Sequence, residues 1–537
     1  MGQLLYNRGI DNYTDAEVFL NINERLMDDP FLLADMEKAV ARIRKAILSQ
    51  EHMAVYGDFD TDGLTATALL VEGLQALGGK VSPYIPHRFN EGYGLNSSAL
   101  KKLLCKGITL VIAADCGTRS VEEITRAKEI GLDIIVADHH SVPADLPPAI
   151  AIINPKRLDS SYPFRELSGV GVAFKLLQSL LQVIPAMPGF SLEGLFDLLA
   201  LGTVADVVPL LGENRYFVNQ GLKLLNSAPR LGIRKMIEIA SLRSGALDAS
   251  SIGFALSPRL NAAGRLGDAM LSYNLLVSQN PEEAFDLARQ LERKNTERQR
   301  LTDLVLTRAK EKISTSDLGL PLLMVGDADF PAGVIGIVAG KLAEELYRPV
   351  VMLEVGAKTS RGSARSIPEF DMISAISQCD ELLLQYGGHS QAAGFTVPNS
   401  NLDLLRQQLH KIAQLQLCDL ELCPTLDIDV EIPLAHLNGS IYTQIQRLAP
   451  FGYDNPEPVF LSRNVRVIDY KYIGADGDHL TLKLQAERIS WRAIAFGLGK
   501  LFGEVPPLID ILYTFGIDNW GGEKTLRLNI LDFVPSH

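Results

Sequence analysis

A basic surface, paired cysteines and long apolar runs are all missing from this 537-residue chain. No uninterrupted apolar stretch reaches the ~20 residues that a membrane-spanning helix needs, so no membrane association is expected. With 51 Lys and Arg against 64 Asp and Glu, the net charge is −13, which excludes a generally basic coat for nucleic acid. A polyanion must therefore bind in a local basic groove, helped by bound metal. The five cysteines (Cys105, Cys116, Cys379, Cys418, Cys423) are scattered and odd in number. They have neither zinc-site spacing nor a disulfide pattern, and a reducing cytoplasm fits them. The first residues lack a basic segment followed by an apolar core, so no signal peptide is expected. No internal repeat or low-complexity tract stands out. Hydrophobic content of 47% and charged content of 21% describe an ordinary globular protein, long enough for roughly two to four domains.

What the chain does have is Asp58-Phe-Asp60-Thr-Asp62-Gly63, directly after the apolar run Met53-Ala-Val55. If that run is a strand, neighbouring side chains point to opposite faces until it ends. Past the end, Gly63 permits a turn. Clustered carboxylates raise one another's pKa unless a cation sits among them. The economical reading is a hard-metal site, for Mg²⁺ or Mn²⁺, on a strand-end loop. An EF-hand opens in the same way, but it needs a Glu at loop position 12; counted from Asp58, that residue is Leu69. A solvated acidic turn is the plain alternative, and the rest of the chain decides against it.

Residues 1–50 read as a helical lead-in, with apolar residues at helical spacing from Leu32 to Leu48. From 51 to about 155, short apolar runs (Met53–Tyr56, Val81–Ile85, Thr109–Ala114, Ile134–Ala137, Ala151–Ile153) alternate with helical patterns. That alternation predicts a parallel α/β sheet, whose ligands lie outside the carboxyl ends of the strands. The rule can be checked: one run ends in Asp58-Phe-Asp60-Thr-Asp62, another in Asp115, a third in Asp138-His139-His140. Three strands thus deliver acidic or imidazole groups to one sheet edge. Asp206 interrupts an apolar run after the helical pattern Leu192–Leu201; a buried carboxylate needs a partner, whether metal, helix end or ion pair. Adjacent histidines face different ways, so one can bind metal while the other faces substrate.

Ser257-Pro-Arg259-Leu-Asn261-Ala-Ala-Gly264-Arg265 reads as a Gly/Pro-punctuated loop, either phosphate-contacting or structural. A long mixed-charge helix is expected from Pro281 to about Ile313, connecting two domains. A second α/β unit follows, with strands at Leu322–Val325 and Val350–Leu353. It carries two segments rich in Gly, Ser, Arg and His, 360–366 and 386–395, and these residue types are phosphate donors. From about 425 the pattern is β (Leu426–Ile432, Val465–Tyr472, His479–Gln485, Ser490–Phe496, Leu508–Phe515, Leu526–Val534), with turns at Gly474–Gly477 and Asn519–Gly522. Five or so strands suggest a small closed barrel of the oligonucleotide-binding (OB) type. Acidic residues outnumber basic ones in this span, so nucleic acid would need a localised groove with stacking aromatics.

Taken in order, Tyr56-Gly-Asp58-Phe-Asp60-Thr-Asp62-Gly63, Ala114-Asp115-Cys-Gly117, Asp138-His139-His140 and Thr203-Val-Ala-Asp206 resemble the four motifs of the DHH phosphoesterases. Gly387-Gly-His389 through Gly394-Phe395 resembles the associated DHHA1 domain. Pro450-Phe-Gly452 with Asn455-Pro-Glu457-Pro-Val-Phe460 resembles the lead into the barrel of the branch that degrades single-stranded DNA. The resemblance covers nearly the whole chain. It implies a DHH domain (51–280), a connecting helix (281–318), a DHHA1 domain (319–424) and an OB-type barrel (425–537), with no further C-terminal domain. It also implies a two-metal, Mn²⁺- or Mg²⁺-dependent exonuclease that degrades single-stranded DNA from the 5′ end to 5′-mononucleotides in recombination and repair. Possible partners are a single-stranded-DNA-binding protein and a repair helicase. Asp60, Asp62, Asp115, His139 and Asp206 are the expected ligands; Asp58 and Asp138 either bind metal or orient those that do. His140 is expected to face the scissile phosphate. Arg88, Arg259, Asn261, Arg265, Ser363, Arg365 and His389 are the expected substrate contacts. Two other readings stay open: a phosphodiesterase for short oligonucleotides or cyclic dinucleotides, and a non-catalytic replication scaffold. The long β region argues against the first, and the intact Asp and His set against the second.

Overall fold

The structure, a computed structural model, describes residues 1–536 apart from 89, 315–316, 475–476, 488, 500–504 and 519–524. Strands β1 (His52–Tyr56), β2 (Lys80–Tyr84), β3 (Ile108–Ala114), β4 (Asp133–Ala137) and β5 (Ala151–Ile153) form a parallel sheet in the order β2-β1-β3-β4-β5. The order reverses between β1 and β3, which is where a doubly wound sheet opens its ligand crevice. Strands β1, β3 and β4 are buried along almost their whole length; helices on both faces make this possible. One face packs the helices Met36–Leu48, Thr61–Ala76, Gly169–Val183 and Phe196–Ala205 into one large apolar cluster. The other face carries Ser97–Cys105 and Val121–Glu129.

The connecting helix runs Pro281–Lys312. Asn280 caps it, accepting from the N–H groups of Glu282 and Glu283, and Pro281 fills its first position. Beyond it lie β6 (Leu323–Asp327), β7 (Val350–Val355), β8 (Thr359–Arg365), β9 (Gln385–His389) and β10 (Ala392–Pro398), in the order β6-β7-β8-β10-β9. Only β6 and β7 pair in parallel. On β8 the period of two buries Ser360, Gly362 and Ala364 and leaves Arg361, Ser363 and Arg365 together on the other face.

The last sheet contains β11 (Val430–Glu431), β12 (Phe460–Ile473), β13 (His479–Ala486), β14 (Ile489–Ala495), β15 (Leu508–Asp518) and β16 (Thr525–Pro535). A β12–β15 pairing closes β12 to β16 into a five-stranded barrel, and β11 lies outside the ring against β12. The expected strand Leu426–Ile432 is thus extended pairing at only two residues. The expected turn at Asn519–Gly522 lies outside the described residues, as do Ala475 and Asp476 of the other turn.

Three expectations are corrected. Residues 257–266 form a helix rather than a loop. Its proline follows closely on a π-helical turn, Ile252–Leu256, an irregularity in a helical run that begins at Ala249. Gly264 marks a close approach, since a Cβ there would lie 2.6 Å from the Phe59 carbonyl oxygen. Gly63 likewise makes no turn: it sits in the first turn of the 61–76 helix, and a Cβ would come within 2.6 Å of the Asp58 backbone. The lead-in is not one unit. Helices Gly2–Tyr6 and Tyr13–Leu20 put Leu4, Leu5 and Phe19 into the barrel's core, whereas Met36–Leu48 packs on the first sheet.

Candidate metal centre

Asp58 lies two residues beyond β1. Asp60 caps the 61–76 helix, its Oδ1 accepting the Gly63 N–H at 3.1 Å. Asp62, in the first turn, accepts the N–H groups of Gly169 (2.7 Å) and Val170 (2.9 Å). Those are free donors at the start of the 169–183 helix, and they favour a negative partner. Asp115 ends β3 with φ 61, its N–H bonded to the Ala137 carbonyl at 2.9 Å; aspartate tolerates this left-handed conformation better than most residues. Asp138 and His139 follow β4. Asp206 closes the 196–205 helix.

These groups converge. The His139 Nε2 is 3.3 Å from Asp115 Oδ1, 3.4 Å from Asp206 Oδ2 and 3.9 Å from Asp62 Oδ2. Burial, with the charge of His140 next, presses the His139 pKa down to about 3, so the ring is neutral at pH 7. Both its nitrogens and Asp115 Oδ1 are buried without a hydrogen-bond partner, which is costly. Burial and then the neighbouring carboxylates raise Asp58, Asp115 and Asp206 well above the usual carboxylate range. Burial and Asp60 push Asp62 up to about 7. Asp58, Asp60 and Asp115 bring ligand atoms within 4.8 Å of one another; so do Asp62, His139 and Asp206, and so do Asp115, His139 and His140. Orphaned acceptors and mutually repelling carboxylates around a neutral imidazole fit divalent cations of the Mg²⁺ or Mn²⁺ kind.

Asp138 has a different position. It belongs to none of those three groups. Its Oδ1 accepts the His139 N–H (2.7 Å), the His140 N–H (3.2 Å) and the His140 Nδ1–H (2.7 Å), and its Oδ2 accepts the Thr118 N–H at 2.9 Å. Burial opposes its charge, but His140 holds it far below the usual range. Burial also opposes protonation of His140, and Asp138 overrides it, lifting the pKa to about 9. His140 Nε2 lies 3.1 Å from the Tyr93 hydroxyl. The His140 carbonyl accepts from Asn154 Nδ2 at 2.9 Å, and the same amide reaches Thr118 Oγ1 at 3.1 Å.

Beside this centre the second α/β unit folds over the first. A Cβ on Gly336, in the helix Ala332–Leu346, would fall 2.8 Å from Ser363 Oγ and 3.4 Å from Arg365 Nη2; one on Gly333 would strike the Arg265 carbonyl. Arg88 lies over the Phe59 ring at 4.8 Å. Burial first, and then Arg88, Arg298 and Arg365, press Arg265 down to about 10. Burial and Arg88 lower Arg365, and burial with Arg361 lowers Arg88 against the attraction of Asp58 and Asp60. Elsewhere Arg157, Arg230 and Arg259 pair with carboxylates; among the described residues Arg88, Arg265 and Arg365 do not. On the other side, β9 carries His389, whose pKa is lowered by burial and then by His140, Lys156 and Arg119.

Two expected substrate contacts are engaged elsewhere. Arg259 pairs with Glu292 at 2.5 Å and donates to the Ala255 carbonyl, tying its helix to the 281–312 helix. Asn261 Oδ1 accepts the Thr61 N–H (2.8 Å) and the Thr61 hydroxyl (2.9 Å), bracing the start of the 61–76 helix. Sequence reasoning missed Tyr93, Thr118, Asn154, Lys156, Arg298 and Arg361 as members of this region. For Asn154 the signal was there, because it ends β5 at the edge where β1, β3 and β4 deliver their ligands. Arg361 shares a strand face with Ser363 and Arg365, so the period of two would have found it.

Comparison with known proteins gives three family matches: residues 52–203 match the DHH family, N-terminal domain, residues 319–415 the DHHA1 domain, and residues 428–532 the RecJ OB domain. The single-stranded-DNA-specific exonuclease RecJ of Bacillus subtilis (strain 168) is 36% identical over 540 residues, covering 100% of this chain and 68% of that protein. The crystal structure of RecJ from Thermus thermophilus in complex with Mn²⁺ superposes with a TM-score of 0.85 at 28% identity, covering 100% of this chain and 76% of that one. Its complex with Mg²⁺ gives 0.80 at 27% identity, covering 100% and 74%.

Proposed function

The chain belongs to the RecJ family of DHH phosphoesterases, and on that footing we propose that it is a metal-dependent exonuclease degrading single-stranded DNA from the 5′ end to 5′-mononucleotides. The observation that carries the reading is a cluster of orphaned and mutually repelling ligand groups beside Arg88, Arg265 and Arg365, half-buried arginines with no carboxylate partner among the described residues. Asp58, Asp60, Asp62, Asp115, His139 and Asp206 would hold two Mn²⁺ or Mg²⁺ ions. Such ions, when bound, activate a water and stabilise the leaving oxygen.

The protein's own groups do the rest. Asp138 fixes the His140 tautomer and keeps Nε2 turned outward toward the scissile phosphate, where it stabilises charge or gives up a proton. Tyr93 and His389 flank it. Arg88, Arg265, Ser363 and Arg365, with Arg298 and Arg361 nearby, form the pocket for the strand end. A terminal 5′-phosphate carries more charge than an internal phosphodiester, so converging donors favour it. The second α/β unit meets the first where Gly333 lies against the Arg265 carbonyl, and a channel closed between them that is too narrow for duplex would give the single-strand preference.

The barrel handles the continuing strand. Its overall charge is acidic, so exposed aromatics such as Tyr472 and Phe496 supply contact by stacking on bases. No helix among the described residues is long and apolar enough to cross a membrane. The protein acts in the cytoplasm, on single strands delivered by a helicase or covered by a single-stranded-DNA-binding protein. The test is cleavage of long single strands, duplex and dinucleotides, each with and without Mn²⁺. Metal-dependent release of mononucleotides from long single strands supports the reading. Activity on dinucleotides alone would replace it with the small-substrate reading.

A further inference from the structure

Two cations stand on the far side of His140 from the strand-end pocket. The segment after β5, Asn154-Pro155-Lys156, follows the edge to which β1, β3 and β4 bring the metal groups. The Asn154 amide donates to the His140 carbonyl (2.9 Å), and its Oδ1 accepts the Lys156 N–H (2.9 Å). Arg119, directly after Thr118, donates through Nε to the Ser141 carbonyl (3.2 Å) and through Nη2 to the Ser141 hydroxyl (2.9 Å). Both cations are thus tied to the backbone around His140, Lys156 from the β5 side and Arg119 from the β3 side. Arg119 is exposed and has no carboxylate partner among the described residues.

The second α/β unit spans both sides of the centre. Arg365 on β8 and His389 on β9 pair with the same residue, Ala392 of β10, from opposite sides. They are therefore two strand spacings apart, about 10 Å, with the end pocket at one and Lys156 and Arg119 near the other. Burial first lowers the His389 pKa, and the positive charges of His140, Lys156 and Arg119 add to the effect. The charge of Lys156 is likewise felt, after burial, at His139 and Asp206. Its Nζ rests 3.6 Å from the Glu166 carboxylate in a partly exposed pair, and such pairs contribute little. The Glu166 carbonyl accepts from Asn214 Nδ2, which also donates to the Pro209 carbonyl at 3.0 Å. The next residue, Leu210, donates to the Tyr453 carbonyl at 2.9 Å, at the approach to the barrel. Lys156 therefore lies between the metal groups and the barrel.

We propose that Lys156 and Arg119 hold the phosphodiester one nucleotide to the 3′ side of the scissile one, so that a strand gripped at its 5′ end is also aligned beyond the cut. The proposal rests on the exonuclease reading and its end pocket. A strand whose first phosphate fills that pocket, and whose second lies between the metal groups and His140, must place its third beyond His140, towards the barrel. The two cations stand there. Glu166 is the resting partner of Lys156, and because that pair is weak and exposed, an arriving phosphate takes the lysine over without leaving a buried charge unpaired. A dinucleotide, with a single linkage, offers this site nothing. The preference for longer strands thus begins within the first α/β unit, before any contact with the barrel.

The experiment is release of the first nucleotide from 5′-phosphorylated single strands by the full chain in Mn²⁺. One linkage of the strand is made an uncharged methylphosphonate, either the second or the third from the 5′ end. The readout is the ratio of kcat/KM for the unmodified strand over the modified one, in which any general loss of catalysis cancels. Losing hydrogen bonds to a charged group costs about tenfold, so wild type is expected to cut the strand modified at the second linkage about tenfold less well. In Lys156→Gln and in Arg119→Gln that ratio is expected to fall towards one, while the ratio for the third linkage stays as in wild type. Perturbing both partners in this way isolates the contact between them. The double variant is also expected to lose salt dependence: the slope of log kcat/KM against log salt becomes shallower by about 1.4, at about 0.7 for each phosphate contact on a single strand. A wild type indifferent to the second linkage, or a wild-type ratio kept in both single variants, overturns the inference and leaves the exonuclease reading standing. A fall in one variant alone keeps the site and removes the other residue from it. If wild type releases no nucleotide from the unmodified strand, the exonuclease reading itself fails.

Discussion

Burial first, and neighbouring arginines second, make Arg265 costly to keep charged until an anion binds beside it, and Arg265→Met measures that cost. Burial and three like charges bring the Arg265 pKa from 12.5 to about 10. At about 1.4 kcal/mol per pKa unit, keeping that guanidinium charged in the folded protein costs on the order of 3 kcal/mol. The folded pKa is below the unfolded one, so at pH 7, below both, this cost is fully present. It fades only as pH rises from about 10 towards 12.5. Methionine keeps much of the volume and removes the charge. In phosphate-free buffer the variant should therefore be at least as stable as wild type, by about 1–2 kcal/mol once lost contacts are discounted. Its end recognition should suffer. A hydrogen bond to a charged group is worth about 1.5–3 kcal/mol, so the ratio of kcat/KM for 5′-phosphorylated over 5′-hydroxyl strands should fall about tenfold or more. The assays are thermal denaturation with and without inorganic phosphate, and single-turnover cleavage of the two strands. Wild type should gain Tm from phosphate, and the variant much less. A variant that is destabilised in both buffers and keeps the full 5′-phosphate preference would show that Arg265 is an ordinary structural arginine.

Arg365→Ala should lower the same 5′-phosphate preference while leaving Mn²⁺ binding unchanged, as read by the kcat/KM ratio and by calorimetry; full retention of the preference would remove Arg365 from the pocket. In metal-free protein the raised His140 pKa of about 9 adds stability that is complete below 6.5 and lost as pH rises through 9. Asp138→Asn should flatten that part of the stability–pH curve, and it should cut kcat by about 10²–10³, the usual cost of losing one charge-stabilising group. A variant with wild-type kcat would mean that Asp138 does not orient a group used in cleavage. Phe496→Ala with Tyr472→Ala should weaken binding of long strands by about 1–3 kcal/mol per stacked base and leave dinucleotide cleavage intact; equal loss on both substrates would place these aromatics outside the strand path.

Most of the candidate metal centre was legible because one rule governs it. Buried runs of a parallel sheet end at one edge, so the acidic residues after β1, β3 and β4 had to meet. Asp206 was legible differently, as a carboxylate in an apolar run that needed a partner. The expected substrate contacts were harder to place, because an arginine's partner lies far away in sequence. Nothing near Arg259 announces Glu292, whereas Arg88, Arg265 and Arg365 stand out only once the two α/β units are brought together. The helix at 257–266 was hidden by punctuation: Pro258 looks like a breaker but sits just after the π-helical turn Ile252–Leu256, and Gly264 looks like a turn but makes room for the Phe59 carbonyl. Helical spacing in the first fifty residues correctly indicated helices without saying what they pack against. Leu4, Leu5 and Phe19 belong to a core whose other members lie in the last quarter of the chain.

The central claim is that two divalent ions lie among Asp58, Asp60, Asp62, Asp115, His139 and Asp206. Anomalous diffraction from Mn²⁺-soaked crystals of the full chain tests it directly. Two anomalous peaks within coordination distance of these six side chains, one of them lost in Asp115→Ala together with cleavage, are the expected result. No peak at this sheet edge, or near-normal turnover of Asp115→Ala at saturating Mn²⁺, would contradict it.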